Sequence, residues 1–129
     1  MSASTNLTLN TKVYSPSYRT GDIAGWMDRS SGIAAGYSLL TQRVYKAPEN
    51  KGRPGAIHTT HKLTVPVLAE VDSSCSCAGS LLRESGFEVR SWSAETSTDA
   101  ERLDLYERLV GLVASDAFKD AFKLNTPVF

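Results

Sequence analysis

The last third of the chain, Ser97 to Phe129, restricts the possible folds more than any other stretch. Thr98, followed three residues later by Glu101, forms a capping box: the hydroxyl accepts from one orphan amide and the carboxylate reaches back to another. Asp99 and Glu101 also stand where a helix dipole favours anions. Beyond them Leu103, Tyr106, Val110 and Val113 fall on one helical stripe, and Leu105, Leu109 and Leu112 on a second beside it. Together they make an apolar face broader than packing against a single sheet requires. Ser115 is placed to cap a second helix, Asp116 to about Leu124, with Ala117, Phe118, Ala121 and Phe122 on its apolar side. A helix this short is marginal in water and needs a surface to pack on. The expected surface is a second copy of the chain.

Upstream the apolar period drops toward that of strands. Asn6 to Tyr14 alternates as a half-buried strand does, but Leu7, Leu9, Val13 and Tyr14 do not keep strict phase, so a bulge or twist is expected near Thr11. Ser15-Pro16-Ser17 breaks this strand, and a short strand over Asp22–Met27 completes a hairpin. Residues 28–36 read as connection. Tyr37 to Lys46 is a stronger strand, ended by the turn-rich Ala47–Gly55. Ala56 to Leu68 is another, with Pro66 demoting its far end to an edge or bulge. Val71 to Ser80 is a loop of small residues, and Leu81 to Ser93 returns as a strand. Strands followed by helices predict an α+β fold: an N-terminal β-hairpin and antiparallel β-sheet, then two C-terminal helices, in one domain spanning 1–129.

Composition narrows the function classes. With 41% hydrophobic and 22% charged residues, the 129-residue chain is globular rather than disordered. Fourteen basic and fourteen acidic side chains cancel, which excludes a generally basic coat for nucleic acid but leaves room for a local basic face. No apolar run has the length of a membrane span, and the N-terminus does not read as a signal peptide, so synthesis in a cytosol and no membrane partner are expected.

Alternation assigns side chains to two sheet faces. On the strand from Ala56, Leu63 and Val65 point one way, and His58, Thr60, Lys62 and Thr64 the other. Leu40, Gln42 and Val44 oppose Thr41, Arg43 and Tyr45; Phe87 and Val89 oppose Glu88, Arg90 and Trp92. One face thus collects Thr41, Arg43, Tyr45, His58, Thr60, Lys62, Glu88 and Arg90. Cations supply charge for phosphates and a ring offers a platform for an unpaired base, as RNA-binding sheets do. A solvated sheet face would be polar too, and on the residues alone that is the plainer reading.

Ser97-Thr98-Asp99-Ala100-Glu101-Arg102, a helix ending Leu109-Val110-Gly111-Leu112-Val113-Ala114-Ser115, a short helix with Asp120-Ala121 and a Pro127-Val128-Phe129 terminus resemble the C-terminal region of single-stranded RNA bacteriophage (levivirus-type) coat proteins. The resemblance is most specific over 96–129 and weaker upstream. It implies an interlocked homodimer whose helices cross onto the partner's sheet, with Leu103, Leu105, Tyr106, Leu109, Val110, Val113, Phe118 and Phe122 at the dimer interface. It further implies dimers assembling into a T=3 icosahedral shell and genomic single-stranded RNA on the inner sheet face. The implied location is the virion, after synthesis in the bacterial host cytoplasm. Thr60 and Lys62 match the family's RNA-contacting Thr and Lys before the Val-Pro; Arg43 and Tyr45 match by strand and facing only. Gly86 stands where the family often has a base-stacking tyrosine, which departs from recognition of a known operator hairpin. A non-viral homodimeric RNA-binding module is the alternative reading.

Cys75-Ser76-Cys77 does not close readily on itself, and zinc would need further ligands. The only histidines, His58 and His61, lie three apart on a strand and face opposite sides. No metal or cofactor is expected, and the plain reading is two reduced thiols in a cytosolic loop. The resemblance places this loop where subunits meet around capsid axes, making Cys75 and Cys77 candidates for inter-subunit disulfides. No Gly-rich phosphate cradle, HExxH or GxSxG is present, so no catalytic residues and no enzyme activity are expected. Trp26 and Trp92 read as core or interface anchors, and Gly111 as either tolerated in its helix or set for close approach of another backbone.

Overall fold

A computed structural model describes residues 5–32, 34–47, 55–68 and 81–127. Six strands form one sheet in sequence order: β1 (Leu7–Leu9), β2 (Lys12–Thr20), β3 (Ile23–Asp28), β4 (Ser38–Lys46), β5 (Ala56–Leu68) and β6 (Leu81–Ala94). A 3-10 turn, Ala34–Gly36, precedes β4; helices α1 (Asp99–Ala114) and α2 (Asp116–Leu124) follow the sheet. The chain divides into two compact units, Met1–Trp92 and Ser93–Phe129. The expected order of strands and helices is observed. No helix among the described residues is long and apolar enough to cross a membrane.

The N-terminal strand differs from expectation. The interruption near Thr11 is not a bulge but a tight turn: Leu9 pairs with Lys12, and Asn10 and Thr11 both take positive φ, 48° and 67°. That is the backbone of a two-residue hairpin turn matched to strand twist, and Asn tolerates it well. The irregularity sits further on. β2 runs through Pro16, and its register against β3 shifts between Pro16 and Tyr18. Pro cannot donate to a ladder, so a strand that keeps it does so beside a bulge. Gly21, at φ 59°, then turns the chain into β3.

Among the described residues of the first unit, Tyr14, Leu40 and Leu63 are buried, with Leu7, Leu9 and Trp26 packed against them. Trp26 pairs with Leu40, and Leu40 with Leu63, so the core face is a row across β3, β4 and β5. Tyr14 carries its hydroxyl inside by hydrogen bonding to Ser38 Oγ at 2.7 Å, and that hydroxyl in turn donates to the Thr64 carbonyl at 2.6 Å. Val44, Val65 and Phe87 remain exposed.

In the second unit both cap hydroxyls bond as the sequence expects, while among the described residues no bond returns from the Glu101 carboxylate to Thr98. Thr98 Oγ1 accepts from the Glu101 amide at 3.2 Å. Ser115 serves both helices: its hydroxyl donates to the Leu112 carbonyl at 2.6 Å and accepts from the Phe118 amide at 3.3 Å. Asn125, at φ 58°, closes α2 in the left-handed conformation that Asn accepts at helix ends. Neither helix contains a buried residue. Leu103, Leu105, Tyr106, Leu109, Val110, Leu112 and Val113 of α1 are all exposed in the chain, as are Phe118 and Phe122 of α2, whose rings stack at 6.1 Å. Each such side chain left in water forgoes about 1.5–3 kcal/mol of burial.

Candidate nucleic-acid interface

Strand pairing sorts the predicted site residues onto one face. Thr41 pairs with Lys62, Arg43 with Thr60 and Tyr45 with His58, and directly opposed residues share a side. These six of the eight candidates therefore form three adjacent rows. The other two come from β6. Glu88 and Arg90 are ion-paired through Arg90 Nε, as residues two apart on one side of a strand can be. The guanidinium of Arg90 is held above its ordinary value by that hydrogen bond and charge, with a smaller contribution from Tyr45. The opposite face takes Gln42 and His61, which hydrogen bond through their Nε2 atoms at 2.9 Å. Burial holds the His61 imidazole below its ordinary value. The two histidines thus face opposite sides, as strand alternation requires. No group of three or more metal-ligating side chains occurs among the described residues, and Cys75 and Cys77 lie outside them.

The cations differ in availability. Arg43 Nε pairs with Asp22 at 3.2 Å, both half-exposed, and Arg90 pairs with Glu88. Among the described residues Lys62 has no ion-pair partner, and it is exposed. Exposed pairs are worth about 0–1 kcal/mol, so a phosphate can displace either carboxylate, but Lys62 needs no displacement at all. Tyr45 is less open than alternation alone suggests. The Arg43 guanidinium lies over its ring at 4.2 Å, and the His58 ring stacks on it at 5.1 Å and 13°.

Gly86 has a structural cause. A Cβ there would overlap the Leu63 carbonyl oxygen, because β6 runs close against β5. No tyrosine fits at this position without moving a strand. A shallow depression of about 320 Å³ beside it is lined by Lys62, Thr64, Glu84, Gly86 and Glu88, among others.

Two aromatic residues on this face were not among the candidates. Tyr18 pairs with Gly25, which pairs with Thr41, and its ring occupies the space that a Cβ on Gly25 would need. The bulge between Pro16 and Tyr18 resets the phase of β2, so alternation from the strand's start does not find it. Trp92 shares the side of Glu88 and Arg90 by alternation, which the sequence does show, yet tryptophan is so often a core residue that exposure was not expected.

Comparison with known proteins agrees with the architecture. A search of the solved structures finds the virus-like particle of Beihai levi-like virus 21 at 15% identity and TM-score 0.82, covering 99% of each chain. The bacteriophage EMS014 coat protein is similar at 20% identity and TM-score 0.72, over 90% of this chain and 78% of that one. The capsid protein of bacteriophage GA follows at 12% identity and TM-score 0.68, over 92% and 86%. Identities this low establish a shared fold. No curated protein matches the chain in sequence. The levivirus coat protein family, in contrast, matches residues 2–129. A match over nearly the whole length, with the six-stranded sheet and two terminal helices in place, shows that the chain belongs to the levivirus coat protein family.

Proposed function

We propose that this coat protein assembles, as homodimers, into an icosahedral shell and holds single-stranded genomic RNA against the polar sheet face. Coat proteins of this family are structural rather than enzymatic. The observation that carries the reading is the pair of uncovered apolar surfaces: the α1 and α2 side chains on one unit, and Val44, Val65 and Phe87 on the other. A second copy offers each surface the complement it lacks, and burial of this much apolar area is the dominant favourable term in association. Similar chains are known as virus-like particles, including those of Beihai levi-like virus 21 and bacteriophage NT-214. The RNA reading is supported by Arg43, Lys62 and Arg90 on a face that also carries rings. Gly86 argues against recognition of a hairpin through a tyrosine at that position.

Expression of the chain alone, followed by electron microscopy, tests this function. Closed shells that contain RNA are expected. A soluble dimer that never forms particles would favour a homodimeric RNA-binding module instead. The same particles address Cys75 and Cys77, proposed to join subunits once the shell leaves a reducing cytosol. Air-oxidised particles should run as ladders on a non-reducing gel and collapse to monomer with reductant. Monomer bands alone would remove the cysteines from the account.

A further inference from the structure

We infer that Trp92, with the Tyr45–His58 pair beside it, is the surface on which this protein stacks an unpaired RNA base, in place of a residue at Gly86. The inference rests on the proposed RNA contact of this face and goes beyond it by naming what is bound there: bases exposed in a single strand, not duplex phosphates alone.

Trp92 is 68% exposed, more than any other large apolar side chain in the chain's described residues. Its position is set by the β5–β6 ladder. Ser91 Oγ lies 3.5 Å from the Thr59 carbonyl, and Gly86 abuts Leu63 and Thr64. The Ser91 contact places Trp92 beside residue 58. Tyr45 pairs with His58, so Trp92, on the neighbouring strand, stands beside the Tyr45–His58 pair. Arg43 and Thr60 occupy the next row, about 7 Å further along the strands, and Arg90 precedes Trp92 by two residues on β6.

The division of labour follows from which ring surface is free. Tyr45 already carries the Arg43 guanidinium and the His58 ring. No ring or cation contact engages Trp92 among the described residues. An indole presents the largest π-surface of any side chain, and stacking tolerates any base because every base has a π-face. Cations one row away complement the phosphates on either side of a stacked nucleotide. At Gly86, by contrast, the backbone of β5 leaves no room for a ring.

Fluorescence separates stacking from charge, using the full-length chain freed of RNA and two probes: an eight-nucleotide oligoadenylate and an abasic ribose-phosphate oligomer of the same length. Oligoadenylate should quench the tryptophan emission, and the abasic oligomer should bind without quenching. Trp26 is half-buried, with its indole N–H donating to the Thr5 carbonyl at 3.2 Å, and should contribute little. Trp92→Phe should abolish the quench while keeping most of the affinity. Trp92→Ala should weaken oligoadenylate about tenfold or more and leave the salt slope unchanged. Equal affinity and no quench with either probe would overturn the inference while leaving phosphate binding intact. Binding of neither probe would overturn both. Emission already typical of a buried indole in the RNA-free protein, unchanged by oligoadenylate, would mean that a second copy covers Trp92, and the inference would fail. The comparison of two probes on the unaltered protein holds even if a variant does not fold.

Discussion

Lys62 is the residue on which phosphate binding depends most. It is exposed on the polar face, opposite Thr41, and among the described residues no carboxylate pairs with it. Lys62→Glu should lower the RNA content of particles and reduce the log–log salt slope of binding by about 0.7–0.9, the loss of one phosphate contact. Unchanged RNA content and slope, with shells still forming, would mark this face as merely solvated. On the opposite face His61 gives a pH dependence. Burial lowers its folded-state value below the ordinary 6.5, so between the two values the unfolded chain holds the proton that the folded chain releases. Stability from this group is complete above about 6.5 and is lost as pH falls through the folded value. His61→Gln should flatten that acid limb of the urea midpoint; equal limbs would show that His61 does not contribute. The sequence displays much of this site. Period-2 alternation alone places Thr41, Arg43 and Tyr45 with His58, Thr60 and Lys62. It does not reveal that Arg43 and His58 engage Tyr45, since that depends on rotamers, nor that Tyr18 joins the face, since one unpaired residue resets the phase.

At the scale of elements, the helices were the most legible part. Thr98 and Ser115 announce both N-termini through their side-chain chemistry, and each hydroxyl caps in the structure as its spacing requires. The strands β4 and β5 were legible from alternation and from the turn residues between them. The turn between β1 and β2 was not, because Asn10-Thr11 lacks the glycine that usually signals a two-residue turn, and positive φ at a threonine is rare. Helix α1 carries a prediction of its own. Leu109 sits centrally in the two apolar stripes and is exposed in the single chain. If those stripes served only solvent, Leu109→Asp would change stability by no more than about 0.5 kcal/mol. The proposed assembly instead buries the position, and an unpaired carboxylate there should leave insoluble or unfolded protein in an expression trial. Soluble, folded Leu109→Asp protein that still forms particles would show that α1 is not at the interface.

For the whole molecule, the balance between covered and uncovered surface is the central fact. Three buried apolar residues among the described ones are a slight core, and domains of this size ordinarily bury well over half of the surface their unfolded chains expose. The missing burial corresponds to α1, α2 and the apolar side of the sheet, and the family to which the chain belongs is one whose members work as assemblies. A second copy completes the core in this account, so the folded state and the dimer are one state, and stability depends on protomer concentration. The most direct measurement is the mass in solution of folded protein under conditions that dissociate shells, by light scattering at micromolar concentration. The account predicts a species of twice the 14.0 kDa chain mass that unfolds and dissociates in one transition. A stable, folded monomer at that concentration would contradict it.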